Sequence, residues 1–206
     1  MKRKLFSLVL LTSLGLLWGC YPDGPEYVDE LDIVYSNYDP GFDFESKGTY
    51  SIPDKIVKIT GDEDADIEYV NNIYAQPTLA QIEKNMAALG WTKVAQDQNP
   101  DTHLFPAAWT STTIVVSGGW GGYWCYWDPY YCGGYGWYYP YPVYSSYTTG
   151  TFLMTMVDPN YESTDGSRLA VWTSAINGLY QGTYNASRVN NAIDQAFEQS
   201  SYLKTN

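Results

Sequence analysis

One histidine, three cysteines and eleven lysines and arginines are all that the 206 residues contain of those types. A lone histidine, His103, with cysteines at 20, 125 and 132, offers no ligand spacing of a zinc site. Eleven cations against 23 acids, a net charge of -12, leave too little positive charge to neutralise a phosphate backbone, so no nucleic-acid partner is expected. No Gly-x-Ser-x-Gly elbow and no glycine-rich phosphate loop occurs. Neither a cofactor nor an enzyme class is therefore indicated. Long apolar runs are missing as well. The one apolar stretch, Leu5 to Trp18, is short for a membrane span and has no basic flank behind it. No repeat with a period of about 20–50 residues is visible.

What that stretch does resemble is an export leader. Lys2, Arg3 and Lys4 form a basic start, and the apolar run stops at Gly19-Cys20. Leu17-Trp18-Gly19-Cys20 is similar to a bacterial lipobox, with Trp18 bulkier than the usual occupant; the alternative is an ordinary secretory signal ending near a cysteine. On the lipobox reading, residues 1–19 are removed and Cys20 carries acyl chains such as palmitate. Two or more chains hold a protein to a bilayer without a spanning helix, at about 0.8 kcal/mol per buried methylene. Loss of the leader leaves 8 cations against 23 acids, so anionic head groups would add nothing and the lipid would be the membrane partner. Tyr21, rather than Asp, after the cysteine favours the outer membrane over the inner. The acids Asp23, Glu26, Asp29, Glu30 and Asp32 loosely match a surface-export signal, leaving periplasmic face or cell surface open.

Residues 20–37 read as a lipidated tether and residues 38–206 as one domain. Strands are expected at Phe42–Phe44 with Thr49–Ile52, at Ile56–Ile59, at Trp91–Val94, at Thr110–Val116, at Thr148–Val157 and at Arg168–Ile176. Residues 62–89 read as a helix broken at Pro77. Ile67, Val70, Ile73 and Tyr74 would form its first apolar stripe, Leu79, Ile82, Met86 and Leu89 its second, and Gly90 its C-terminal stop. Asn185–Gln199 reads as an amphipathic helix, with Val189, Ala192, Ile193, Ala196 and Phe197 on one side and Asn185 opening it. The order predicts an α+β fold: a mostly antiparallel sheet, two helices on one face, and an aromatic-rich hairpin insertion.

Several of these segments resemble a bacterial lipoprotein family, the domain of unknown function 4136. Tyr38-Asp39-Pro40-x-Phe42-Asp43-Phe44 with Thr49-Tyr50 resembles its opening. Gly150-Thr151-Phe152 leading to Val157-Asp158, Leu169-Ala170-Val171-Trp172, and Arg188-Val189-Asn190-Asn191-Ala192-Ile193 with Phe197 and Tyr202-Leu203-Lys204 follow in order. Gly48 and Thr173-Ser174 depart from the pattern. The likeness spans roughly residues 38–204, with the aromatic segment as an insertion. It implies an envelope lipoprotein of α+β fold and carries over no catalytic residue.

That insertion, residues 118–147, holds 14 aromatics, seven glycines, three prolines and one charge, Asp128. Loops of such length between strands carry function or stay unordered. Ordering this one requires that most of its rings find partners within the loop, on the sheet or on another molecule. Cys125 and Cys132 both fall in it, with Asp128-Pro129 as turn chemistry between them; in an exported chain a disulfide is expected rather than two free thiols. Trp120, Trp124, Trp127 and Trp137 are the candidate binding residues, because exposed Trp and Tyr stack on sugar rings and fill protein interfaces. The competing reading is an insertion that packs on itself or caps one end of the sheet. Asp62-x-Asp64-x-Asp66 starts like a calcium loop and then fails at Ile67 and Ile73, so no metal is expected there and the acids read as a helix start. The function expected is a non-catalytic binding or scaffold module of the envelope, its partner an envelope protein or, alternatively, a glycan.

Overall fold

The structure is a computed structural model that describes residues 34–59, 66–109, 113–115, 145–147, 150–162, 168–180 and 183–206. These belong to a unit spanning Leu31–Asn206. Strands β1 (Val34–Tyr38), β2 (Thr49–Ser51), β3 (Val57–Ile59) and β4 (Glu68–Tyr69) precede helix α1 (Asn72–Ala88). Then come β5 (Thr92–Lys93), β6 (Thr102–Trp109), β7 (Thr113–Val115), β8 (Ser145–Tyr147), β9 (Thr151–Glu162), β10 (Arg168–Ile176) and helix α2 (Ala186–Glu198). The main sheet runs β1-β10-β9-β6-β2-β5, with β3 also beside β6 and β4 beside β3. The four long strands β1, β10, β9 and β6 are antiparallel to one another, while β2 and β3 run parallel to β6 and β5 parallel to β2. The expected α+β class with a mostly antiparallel sheet is what the chain adopts.

Helix α2 follows its sequence pattern closely. Asn185 caps it, its Oδ1 accepting from the amides of Ser187 and Arg188 at 3.0 and 3.1 Å. Its five predicted apolar residues are the five it buries. Helix α1 departs from its pattern at the start. It begins at Asn72, capped by Asn71, whose Oδ1 accepts from the Ile73 amide at 3.1 Å. Glu68 and Tyr69 pair instead with β3, and Val70 donates to the Ile56 carbonyl at 2.8 Å. Asp66 is thus not at a helix start, and Ile67 and Ile73 stand 46% and 65% exposed rather than on a buried stripe. Pro77 does not break the helix. It withholds one donor, from the carbonyl of Ile73 in the exposed first turn, and the rest of the ladder stays. The end is a Schellman motif: Trp91 donates to the Met86 carbonyl and Gly90 to that of Ala87, with Gly90 at φ 95°.

Three further segments differ from expectation. Strand β1 takes up Val34–Asn37, four residues expected in the tether, and pairs Val34 with Ile176 and Tyr38 with Trp172. Residues 42–44 are not a strand: Asp43 caps a 3-10 turn at Phe44–Ser46, and Phe42 and Phe44 pack edge to face at 4.7 Å. Strand β6 has no counterpart among the expected strands. It contains Pro106, which has no N–H for a ladder. Its flank explains the tolerance: β2 leaves β6 after Ser51↔His103, and β3 joins only at Val57↔Ala107. Pro106 sits in that gap, where no strand on that side needs its donor.

Both faces of the central strands are shielded. Leu104, Phe152, Met154, Met156, Trp172 and Ile176 lie in one core with the buried sides of both helices. The alternate residues, among them Val57, Phe105, Ala107, Leu153, Val157 and Ala175, are as deeply buried on the other face. Between the helices Asp194 accepts from Gln81 and from Asn85 (2.7 Å), and nearer the start of α1 Thr78 Oγ1 meets the hydroxyl of Tyr180, in the turn after β10, at 3.1 Å.

Candidate functional site

A group of ionisable side chains lies where β2, β6 and β9 meet, at the end where β6 begins. Asp101 stands one residue before β6. Its carboxylate accepts from the amides of Gly48 (3.0 Å) and Thr49 (2.8 Å) and from Thr49 Oγ1 (2.7 Å). Burial pushes its carboxyl up, but these three donors and the Lys47 ammonium outweigh that and hold it below the usual carboxylate range. Beside it Lys47 meets Asp158 at 2.8 Å and lies 5.3 Å above the Phe42 ring. The other Asp158 oxygen accepts from the Asn160 amide at 2.8 Å. Asp39 accepts from the Gly41 amide (2.8 Å) and the Tyr161 hydroxyl (2.9 Å). Burial, then the bond to and charge of Asp39, push the Tyr161 phenol up to about 12.

Ser51 Oγ and His103 Nδ1 share a 2.7 Å hydrogen bond across β2 and β6. A hydroxyl against an imidazole is the first half of a nucleophilic pair. Here both residues are buried on the helix-free face of the sheet. Asp101, two residues from His103 and just before the same strand, spends its Oδ2 on three donors of Gly48 and Thr49, at the start of β2. The cluster therefore works as a set of braces that fix the short parallel strands and the segment before them. Among the described residues no group of three or more His, Cys, Asp or Glu side chains is placed to hold a metal ion. Sequence reading had no means of finding the Asp101–Thr49 and Ser51–His103 pairs, because 52 residues separate the members of each.

The residues singled out from sequence, Cys20, Trp120, Trp124, Cys125, Trp127, Cys132 and Trp137, lie outside the described residues, as do Asp62 and Asp64. The base of their insertion is described. β6 pairs with β9 up to Trp109↔Thr151. β7 and β8 then pair at Thr113↔Tyr147 through Val115↔Ser145, four residues on in one strand and four back in the other. The register of the two central strands is therefore preserved into the insertion, which is rooted as a hairpin. Gly150, at φ 88°, donates to the Trp109 carbonyl at 2.7 Å and accepts from Tyr180 at 3.0 Å, tying this root to the loop after β10. Val34 is level with it: Val34 pairs with Ile176, Ile176 with Phe152, and Phe152 with Ala108. Chain entry and insertion share one end of the sheet, and the carboxylate braces occupy the other. Among the described residues no helix is long and apolar enough to cross a membrane.

Comparison with known proteins agrees with this architecture. A DUF4136 family protein from Bacteroides thetaiotaomicron, of known crystal structure, shares 32% identity, with 84% of this chain and 97% of that one covered and a TM-score of 0.69. A PDZ domain protein from Parabacteroides distasonis matches at 13% identity over 84% of this chain and 37% of its own, with a TM-score of 0.45. Among curated proteins none matches. The family model for the domain of unknown function DUF4136 matches residues 34–200, from the first residue of β1 to just past α2. On that match, and on the relative from Bacteroides thetaiotaomicron, the chain belongs to the DUF4136 family.

Proposed function

We propose that this chain is a lipid-anchored protein of the outer membrane, held through acyl chains on Cys20, and that its domain is a non-catalytic binding or scaffold module. Its contact surface is the aromatic insertion, residues 118–147, with Trp120, Trp124, Trp127 and Trp137 as anchors for an envelope protein. The observation that carries this reading is the preserved register of β7 and β8. It roots a segment of 14 aromatics and a single charge on the two central strands of the sheet. Rings presented from a rigid scaffold lose little freedom on binding. The carboxylate braces support a structural rather than catalytic role for the opposite end, since each of the three carboxylates is engaged by a backbone amide, together with a hydroxyl or Lys47.

Capture from cross-linked envelopes by the intact chain, compared with a chain lacking residues 118–147, tests the contact surface. Specific partners should vanish with the deletion; an unchanged set would overturn the assignment. The sequence composition also favours a second reading, stacking of the tryptophans on sugar rings, and glycan-array binding without protein capture would select it. Mass spectrometry of the membrane fraction tests the anchor: an unacylated Cys20, or a chain retaining residues 1–19, would remove it. The same mass spectrum, before and after reduction, reports whether Cys125 and Cys132 are bridged.

A further inference from the structure

The edge of a sheet offers unpaired amides and carbonyls to any extended chain that meets it, and folded proteins blunt such edges. Two edges of the main sheet are blunted. On β1 the outward amide of Tyr38 is taken by the side chain of its own neighbour, Asn37, at 2.9 Å. On β5, Thr92 and Val94 donate inward to Gly48 and Tyr50, and the residue between them is Lys93, an edge charge held by Glu83 at 2.6 Å. Strand β4 has no such device. Its neighbour Val70 sends its amide to Ile56, and Glu68 stands opposite Lys58, so Tyr69 between them turns its amide and carbonyl away from β3. β4 pairs with β3 alone, and among the described residues no strand lies on its other side. Nor do its side chains protect it. Among the described residues the large apolar side chains that stand exposed are Ile67, Tyr69 and Ile73, at 46%, 39% and 65%, all in or beside β4 and the first turn of α1.

Charge narrows what such an edge accepts. Asp66 and Glu68 alternate with Ile67 and Tyr69, and Asp62, Glu63 and Asp64 come just before them in the chain. Two lysines answer these five acids: Lys58, 3.0 Å from Glu68, and Lys55, 4.9 Å over the Tyr69 ring. Pairing β4 with the β4 of a second copy would set two such acid runs side by side, and like charges across a ladder repel. Anionic lipid and nucleic acid are disfavoured on the same ground. A cationic strand is favoured. We infer that β4 is a docking edge for an extended segment of a partner protein in which apolar and basic residues alternate. The main chain of that segment bonds the outward amide and carbonyl of Tyr69. Residues two apart share a face, so its apolar side chains pack on Ile67 and Tyr69 while its cations meet Asp66 and Glu68. The inference does not rest on the role proposed for the aromatic insertion.

The test uses the full chain and an end-capped peptide of alternating valine and lysine. With the peptide at saturation, hydrogen exchange at the Tyr69 amide should slow about tenfold or more, while the amides of β9 and β10 keep their rates. Tyr69→Lys gives β4 the kind of charge that β5 carries, and should weaken peptide binding about tenfold. Tyr69→Pro removes the outward amide and leaves Glu68 and Val70 bonded to β3, so it should weaken binding as well, at an unchanged melting temperature. If the proline variant loses its fold, Tyr69→Lys decides alone. A valine and glutamate peptide of the same pattern should not bind. Binding that leaves the Tyr69 amide unprotected, or that a peptide with its lysines in one block reproduces, would overturn the inference and leave charge attraction without strand pairing. A Tyr69 amide protected without peptide, in a dimer seen by sedimentation, would also overturn it and give the edge to a second copy. Protection by anionic vesicles but not by the peptide would give the edge to a membrane instead.

Discussion

Strands β1, β10, β9 and β6 lean on one another along long ladders, whereas β2, β3 and β5 pair over only two or three residues each. The first group is held chiefly by ladder length and burial. β6 runs against β9 from His103 to Trp109, and its residues and those of β9 as far as Asp158 are buried on both faces. The second group is pinned by side chains: Asp101 to the backbone entering β2, Ser51 to His103, and Lys47 to Asp158 across to β9. A strand of three residues gains too little from its own ladder to fix its position. Directed hydrogen bonds, buried at Ser51–His103 and half-buried at Asp101 and Lys47, supply what ladder length does not. Hydrophobic burial thus sets how stable the antiparallel side is, and polar geometry sets where the parallel flank lies.

Trp172→Ala should give the largest loss. Trp172 is fully buried in β10, donates from Nε1 to Ser200 Oγ at 3.0 Å and packs on Phe197 at 5.6 Å between centroids. Its removal opens a cavity between the sheet and α2, with an expected cost of about 3–5 kcal/mol in urea unfolding. Asp101→Ala is its counterpart in the flank. It strips partners from the amides of Gly48 and Thr49, with an expected cost of about 1–3 kcal/mol. Hydrogen exchange should quicken at Gly48 and Thr49 and stay unchanged in β9 and β10. If Asp101→Ala costs as much as Trp172→Ala, or loosens β9, the division between the two sides is wrong.

The acid limb of the stability curve sharpens the same division. Asp101 titrates below its unfolded value, so its contribution is fully present above the ordinary Asp range. It is lost as pH falls through the lowered folded value. Asp101→Asn should flatten that part of the curve. An equal acid dependence in both proteins would show that the flank's braces titrate elsewhere.

How much of this was written in the chain depends on whether the determining contacts are local. Helix α2 was legible because its cap, its stripe and its end all fall within 15 residues. The core of β10 was legible through its run of β-branched and aromatic residues. Strand β6 was not, because Pro106 argues against a central strand unless one knows that β2 departs and β3 arrives beside it. The start of α1 was misread because helical spacing at Ile67 and Val70 is also satisfied by a short strand followed by a cap, and pairing with β3 decides the matter. Strand β1 looked like tether since Val34, Ser36 and Tyr38 face the helices while Tyr35 and Asn37 face away, giving a mixed pattern. The braces were illegible for the same reason that they matter: Asp101 and Thr49 come together only through the parallel pairing of β2 with β6.

Gly90→Ala tests the joint between the two halves, where α1 hands over to β5. A side chain at φ 95° is strained in itself, and a Cβ there would run into Thr205 Oγ1, whose residue closes the C-terminus by donating its amide to the Leu89 carbonyl at 2.9 Å. The expected cost is about 1–3 kcal/mol. Adding Thr205→Ala should recover only part of it, because relieving the contact leaves the backbone strain. Full recovery in the double variant would assign the whole effect to packing against the C-terminal segment.

The smallest effect is expected at the outer edge of the flank. Lys58 meets Glu68 at 3.0 Å across β3 and β4, with side chains 35% and 57% exposed. Water and salt screen such a pair, and holding two long side chains in one geometry costs entropy, so Lys58→Ala should change stability by no more than about 0.5 kcal/mol. That small loss should shrink further when urea unfolding is repeated at high salt. β4 stays in place through Val57↔Tyr69 and the Val70 amide on Ile56, neither of which needs the ion pair. A loss well above 1 kcal/mol that high salt removes would mean that surface charge, rather than the buried braces, positions the parallel flank.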